Sequence, residues 1–302
     1  VQSVHLDFGA SNPPVMSVIP NCDLGKASIV ATGYFLFSFE QSCVLQKDKI
    51  VRILLSNDDG IDAPGIKAME AALLEFADVW VIAPSGEQSA KSHALTMHKP
   101  IRAVVRDSRH IAIAGTPVDS VYMAIHHFMP EPPDLVVSGI NKGANLGDDI
   151  HYSGTVAAAR EACLLGFPSL AVSLHLDSES EDKTLHWDTA SPVACSLAKK
   201  IHEDGLPPLT LINLNVPNIP KGELKGVSSA ELGRHHYHPL VEERLDPRGK
   251  RYYWLGGLHD KFSGSEATDG VLVERGYASV TPVGTNATLR GLLPKIEGWL
   301  EG

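Results

Sequence analysis

Only four cysteines, Cys22, Cys43, Cys163 and Cys195, are scattered over the 302 residues, and no two stand at C-x-x-C spacing. Neither a zinc site nor a dense disulfide framework can be built from them, and a reducing, cytoplasmic setting is what they predict. Long apolar runs are scarce as well. The stretch from Ser28 to Phe39 falls well short of the roughly 20 residues a helix needs to cross a bilayer. With one lysine, Lys26, just before it and no small-x-small site after Phe39, it predicts neither a membrane anchor nor a secretory signal. Positive charge is outnumbered, 26 Lys and Arg against 36 Asp and Glu for a net charge of −10. Such a chain offers no general field to a polyanion, which argues against nucleic acid as a partner. No G-x-x-x-x-G-K-[ST] loop and no G-x-G-x-x-G turn follows a strand-like run, so ATPase and dehydrogenase chemistry lose their usual signatures.

What is present is a globular composition, 43% hydrophobic and 21% charged, on a chain long enough for one large or two small domains. Gly9, Pro13, Pro14, Gly25 and Gly33 interrupt every periodicity in residues 1–50, which read as an irregular extension. From Val51 the pattern becomes regular. Short buried strands are predicted at 52–56, 79–83, 135–138, 170–173 and 211–214, with further strands at 101–105 and 111–114. Between them lie helices opened by Pro64, with Ile66, Met69, Leu73 and Leu74 on one face, and helices over 118–128, 154–165 and 189–202. The alternation predicts a doubly wound α/β sheet. Past Pro217, Asp246-Pro247-Arg248-Gly249 reads as the turn of a long hairpin over 234–257, and 288–300 has amphipathic helical spacing.

In such sheets ligands bind beyond the carboxyl ends of the strands. Three polar segments fall there: Asn57-Asp58-Asp59-Gly60, the loop with Ser85, Ser89 and Ser92, and Gly139 to Asn145. Adjacent carboxylates at a sheet mouth repel unless a proton or cation separates them, so Asp58 and Asp59 point to a metal. Joined by Ser89 and Asn141 they would form an all-oxygen set suited to magnesium, manganese or calcium rather than zinc. Tyr152-Ser153-Gly154-Thr155 precedes an alanine-rich helix, where hydroxyls and unpaired N–H groups could hold a phosphate. Together these imply phosphate ester chemistry. A haloacid-dehalogenase-type mechanism is disfavoured, because Asn57 stands where the nucleophilic Asp would be and an amide cannot form an aspartyl-phosphate.

These segments resemble the SurE family of survival proteins, from about residue 51 onward. The likeness is carried by Ile53 to Gly60 with Ala63-Pro64-Gly65, Ala83-Pro84 with Gln88-Ser89-Ala90, Gly115 to Asp119, and Pro133 to Asn141 running on to Thr155. The resemblance implies a SurE-like, Rossmann-like domain over 51–302 whose C-terminal hairpin mediates homodimers or homotetramers. It implies a 5′/3′-nucleotidase that hydrolyses nucleoside monophosphates, and in some members short polyphosphate, with one Mg2+ or Mn2+ per subunit. Asp58, Asp59, Ser89 and Asn141 then carry over as metal ligands, Asp58 and Asp59 as the catalytic pair, and Asn145, Ser153, Gly154 and Thr155 as phosphate contacts. Relatives typically begin with Met where this chain has Val51, so residues 1–50 read as a misplaced translation start. A non-catalytic nucleotide- or anion-binding module on the same fold is the rival reading.

Overall fold

The computed structural model describes residues 50–177 and 183–300. The expectations for the N-terminal extension and for the Ser28 to Phe39 stretch lie outside them.

The first element of the described residues is a buried strand, β1 (Val51–Ser56), whose Ile53, Leu54 and Leu55 are fully enclosed. Each such side chain contributes roughly 1.5–3 kcal/mol by leaving water. Pro64, whose ring presets a helical φ, opens α1 (Pro64–Leu73), and β2 (Ala77–Pro84) returns beside β1 in parallel. Leu74 differs from expectation: it caps the helix and is 56% exposed, because α1 ends one residue before it. β3 (Ala103–Val105) and β4 (His110–Ile113) follow, the first an exposed antiparallel edge. The predicted helix over 118–128 is α2 (Pro117–Met123) continued by a π-helical turn at Ala124–Phe128. Its start is a reciprocal capping box, Thr116 with Asp119. Asp119 also accepts from the Thr96 N–H and hydroxyl at 2.8 and 2.6 Å, so the Gly115 to Asp119 motif serves to seat a loop on a helix.

The second half continues with β5 (Leu135–Lys142), α3 (Gly154–Leu164), β6 (Ser169–His175), α4 (Trp187–Asp204) and β7 (Thr210–Pro217). Two further strands, β8 (Val227–Ser229) and an antiparallel β11 (Ala278–Gly284), complete the sheet. Its order is β3-β4-β2-β1-β5-β6-β7-β11-β8. Successive strands step outward from β1 through β2 to β4 on one side, and from β5 through β6 to β7 on the other. The switch point is therefore the crevice between β1 and β5. α1 packs with α4 on one face, and α2 with α3 on the opposite face, each pair over its own apolar cluster.

The hairpin is longer than the 234–257 expected: β9 (Arg234–Leu245) pairs with β10 (Arg251–Ser263) as a separate two-stranded sheet. α5 (Asp269–Glu274) follows it. The C-terminal helix, expected over 288–300, is a 3-10 turn at Arg290–Leu292 followed by α6 (Leu293–Leu300), with no buried residue. Among the described residues no helix is long and apolar enough to cross a membrane.

Candidate active site

Asp58 and Asp59 leave the carboxyl end of β1 directly, in a turn closed by Asn57. The Asn57 Nδ2 donates to the Gly60 carbonyl at 2.9 Å, and the Gly60 N–H donates back to Asn57 Oδ1 at 3.2 Å. Asn57 is fully buried, so the residue that rules out one nucleophile fixes the loop that presents the two carboxylates.

Three contacts draw the other segments to this turn. The Gln88 N–H donates to the Asp58 carbonyl at 2.7 Å, which brings in the loop after β2 that carries Ser89. The Lys142 N–H donates to Asp59 Oδ2 at 3.0 Å, which brings in the end of β5 next to Asn141. The Thr155 hydroxyl donates to Asp58 Oδ1, which brings in the start of α3. That start is fixed by Ser153, whose Oγ accepts from the Val156 N–H at 3.0 Å as an N-cap. The loop after β2 is also pinned to the approach to α3: the Ser92 N–H donates to the Tyr152 carbonyl at 3.0 Å, and its hydroxyl to that of His151 at 2.6 Å.

Gly154 is required by close approach. A Cβ there would lie 2.8 Å from both the Cβ and Oδ2 of Asp58. Asp58 thus sits against the positive end of α3, where helix polarity and unpaired N–H groups favour a negative charge. Thr155, expected as a phosphate contact, gives its hydroxyl to the Asp58 carboxylate in this structure.

Even so, the carboxylates are uncomfortable as anions. Burial, opposed by the Thr155 hydrogen bond and helped by the neighbouring charge of Asp59, pushes Asp58 up to about 6. Burial likewise raises Asp59, opposed by the Lys142 N–H and reinforced by the charge of Glu87. Crowded, partly desolvated negative charge is what a divalent cation would relieve. The other candidate donors are neutral oxygens. Ser89 is exposed and its hydroxyl donates to Glu87 at 2.9 Å, while Asn141 Nδ2 donates to the Gly143 carbonyl at 2.8 Å, so that Oδ1 is the atom with which it could ligate a cation. Among the described residues no group of three or more His, Cys, Asp or Glu is arranged to hold a metal ion. Two carboxylates with neutral oxygens fit a hard cation such as Mg2+ or Mn2+ rather than zinc.

Asn145 stands in a buried polar network between strands. Its Nδ2 donates to Ser173 at 2.7 Å, its N–H to Asn215 Oδ1 at 2.8 Å, and its carbonyl accepts from Asn213 and Asn215.

The family model described as survival protein SurE matches residues 53–239. A 5′/3′-nucleotidase SurE of Yersinia enterocolitica is 44% identical over 252 residues, spanning 83% of this chain and 98% of that protein. A 5′-nucleotidase SurE of Geotalea daltonii is 42% identical over 249 residues, spanning 82% of this chain and 99% of its own length. Among solved structures, the crystal structure of SurE protein from Aquifex aeolicus matches with a TM-score of 0.72 and 36% identity, covering 83% of this chain and all of that one. Agreement in sequence and fold over 83% of its length, around paired aspartates at the switch point, places this chain in the SurE family.

Proposed function

We propose that the protein is a metal-dependent 5′/3′-nucleotidase that hydrolyses nucleoside monophosphates to nucleoside and phosphate. The observation that carries the reading is the meeting of Asp58, Asp59, the Ser89 loop, the end of β5 and the start of α3 at the β1/β5 crevice. Nucleotidase names on relatives matched over nearly their full length support it.

Asp58, Asp59, Ser89 and Asn141 hold one divalent cation, Mg2+ or Mn2+. When bound there, the cation supplies charge neutralisation at the phosphoryl group and acidifies water. Thr155 fixes the rotamer of Asp58. The Ser153 hydroxyl and the N–H groups of Gly154 and Thr155 orient the phosphoryl oxygens. Asn145 has one amide hydrogen committed to Ser173, and the second is assigned to phosphate. One of the two carboxylates, Asp58 or Asp59, takes the proton of the attacking water and returns it to the nucleoside oxygen as the P–O bond to that oxygen breaks.

The domain responsible spans 51–302, and residues 1–50 are dispensable to it. The β9–β10 arm, with Val241, Tyr253, Trp254 and Leu255 each more than half exposed, serves a homodimer or homotetramer. The free, buried Cys163 and Cys195 go with a reducing, cytoplasmic setting.

The test is phosphate release from a panel of nucleoside 5′- and 3′-monophosphates with Mn2+, and again with chelator. Chelator-sensitive release supports the reading. Nucleotide binding without release would favour the non-catalytic module instead.

A further inference from the structure

A small depression of about 180 Å3 opens beside the carboxylate turn. Asp59 and Lys142 border one end, and Ala63, Pro64, Leu185 and Trp187 form apolar walls. Gly65 makes the depression possible: a Cβ there would lie 2.0 Å from the Ile140 carbonyl oxygen and 3.1 Å from Cζ3 of the Trp187 ring. The missing side chain lets the start of α1 settle onto β5 and brings the indole against it. Trp187, the first residue of α4, is only half-buried, so it keeps an open surface while Leu185 packs beside it.

The walls suit neither a phosphate nor a cation. They suit a planar, weakly polar ring, and the space is below the roughly 300–1,000 Å3 of a pocket for a whole drug-sized ligand. One end of it is Asp59, already placed at the reacting centre. A ligand with its phosphate at that centre and a ring in the depression has the layout of a nucleotide.

We propose that the depression walled by Trp187, Leu185 and Pro64 receives the base of the nucleotide, with the Trp187 ring as its stacking surface. The proposal rests on the nucleotidase reading, and makes Trp187 a specificity-determining residue that no phosphate contact requires.

The test compares wild type, Trp187→Ala and Trp187→Phe on 5′-AMP and on glycerol 2-phosphate, which has no ring. Trp187→Ala should raise KM for 5′-AMP roughly 5- to 150-fold, the scale of losing one base–aromatic stack. KM and kcat for glycerol 2-phosphate should stay put, and Trp187→Phe should recover most of the loss. Adenosine, which carries the base without phosphate, should inhibit glycerol 2-phosphate hydrolysis competitively in wild type and in Trp187→Phe, and lose that inhibition in Trp187→Ala. Equal losses on both esters, or an unchanged KM for 5′-AMP in Trp187→Ala, overturn the proposal while leaving the phosphatase reading intact. A wild-type protein inert toward both esters overturns the phosphatase reading first and this one with it.

Discussion

Replacing Asp58 by Asn should stabilise the metal-free protein while destroying its response to metal. Asp58 is 4% exposed, and burial lifts its carboxyl from 3.8 to about 6. The folded state therefore binds more protons than the unfolded chain between these values, and stability falls as pH rises through that window. A shift of about two pH units corresponds to ~3 kcal/mol, a cost present in full above pH 6. Asn is neutral in both states and its Oδ1 can still accept from the Thr155 hydroxyl, but its amide protons need a partner. A net gain of ~1–3 kcal/mol remains, or roughly 3–9 °C in Tm for a domain of this size. Thermal melts in chelator at pH 7.5 should show the variant above wild type, with the difference vanishing near pH 4. With Mn2+ at 1,000 times its Kd, wild type should gain ~4.1 kcal/mol and overtake a variant that gains nothing. An Asp58→Asn protein that melts below wild type in chelator at pH 7.5 would refute the reasoning.

Gly154→Ala should leave the fold intact yet cut turnover by about 100-fold, because the new methyl displaces the Asp58 carboxylate; circular dichroism together with phosphate release checks it. Thr155→Val removes the hydroxyl donated to Asp58, so the carboxyl should rise further and Mn2+ affinity should fall more at pH 6.5 than at pH 8, as read by calorimetry. His110 is lowered by burial but raised on balance by Asp107 and Glu70. Its stabilising contribution is thus complete below 6.5 and lost as pH rises through its folded value. His110→Gln should lower Tm at pH 6 and change it little at pH 9. A chain beginning at residue 51 should remain folded and fully active, and deleting 234–257 should give smaller particles by light scattering.

The central strands were legible because both faces are buried: runs such as Ile53-Leu54-Leu55 and Leu135-Val136-Val137 leave no other reading. The edges were not. Val104 and Val105 look like core residues but lie on an exposed antiparallel edge, and β8 and β11 carry no run of comparable length. The polar turns after strands announced the site, since position beyond a parallel strand is itself informative. Partnerships within it were hidden. Nothing in the order of residues pairs Thr155 with Asp58, 97 positions away, or closes Asn57 onto Gly60. His186-Trp187-Asp188 matches no motif, and only the approach of α1 to β5 at Gly65 brings Trp187 into a depression shared with Asp59.

Substitution of Asp59 by Asn preserves shape and removes one charge from the carboxylate pair. Mn2+ affinity by calorimetry and phosphate release from 5′-AMP should be measured side by side for wild type and Asp59→Asn. Metal affinity should fall, turnover should drop by at least ~100-fold, and excess Mn2+ should restore part of it. Unchanged metal binding with unchanged turnover would contradict the account.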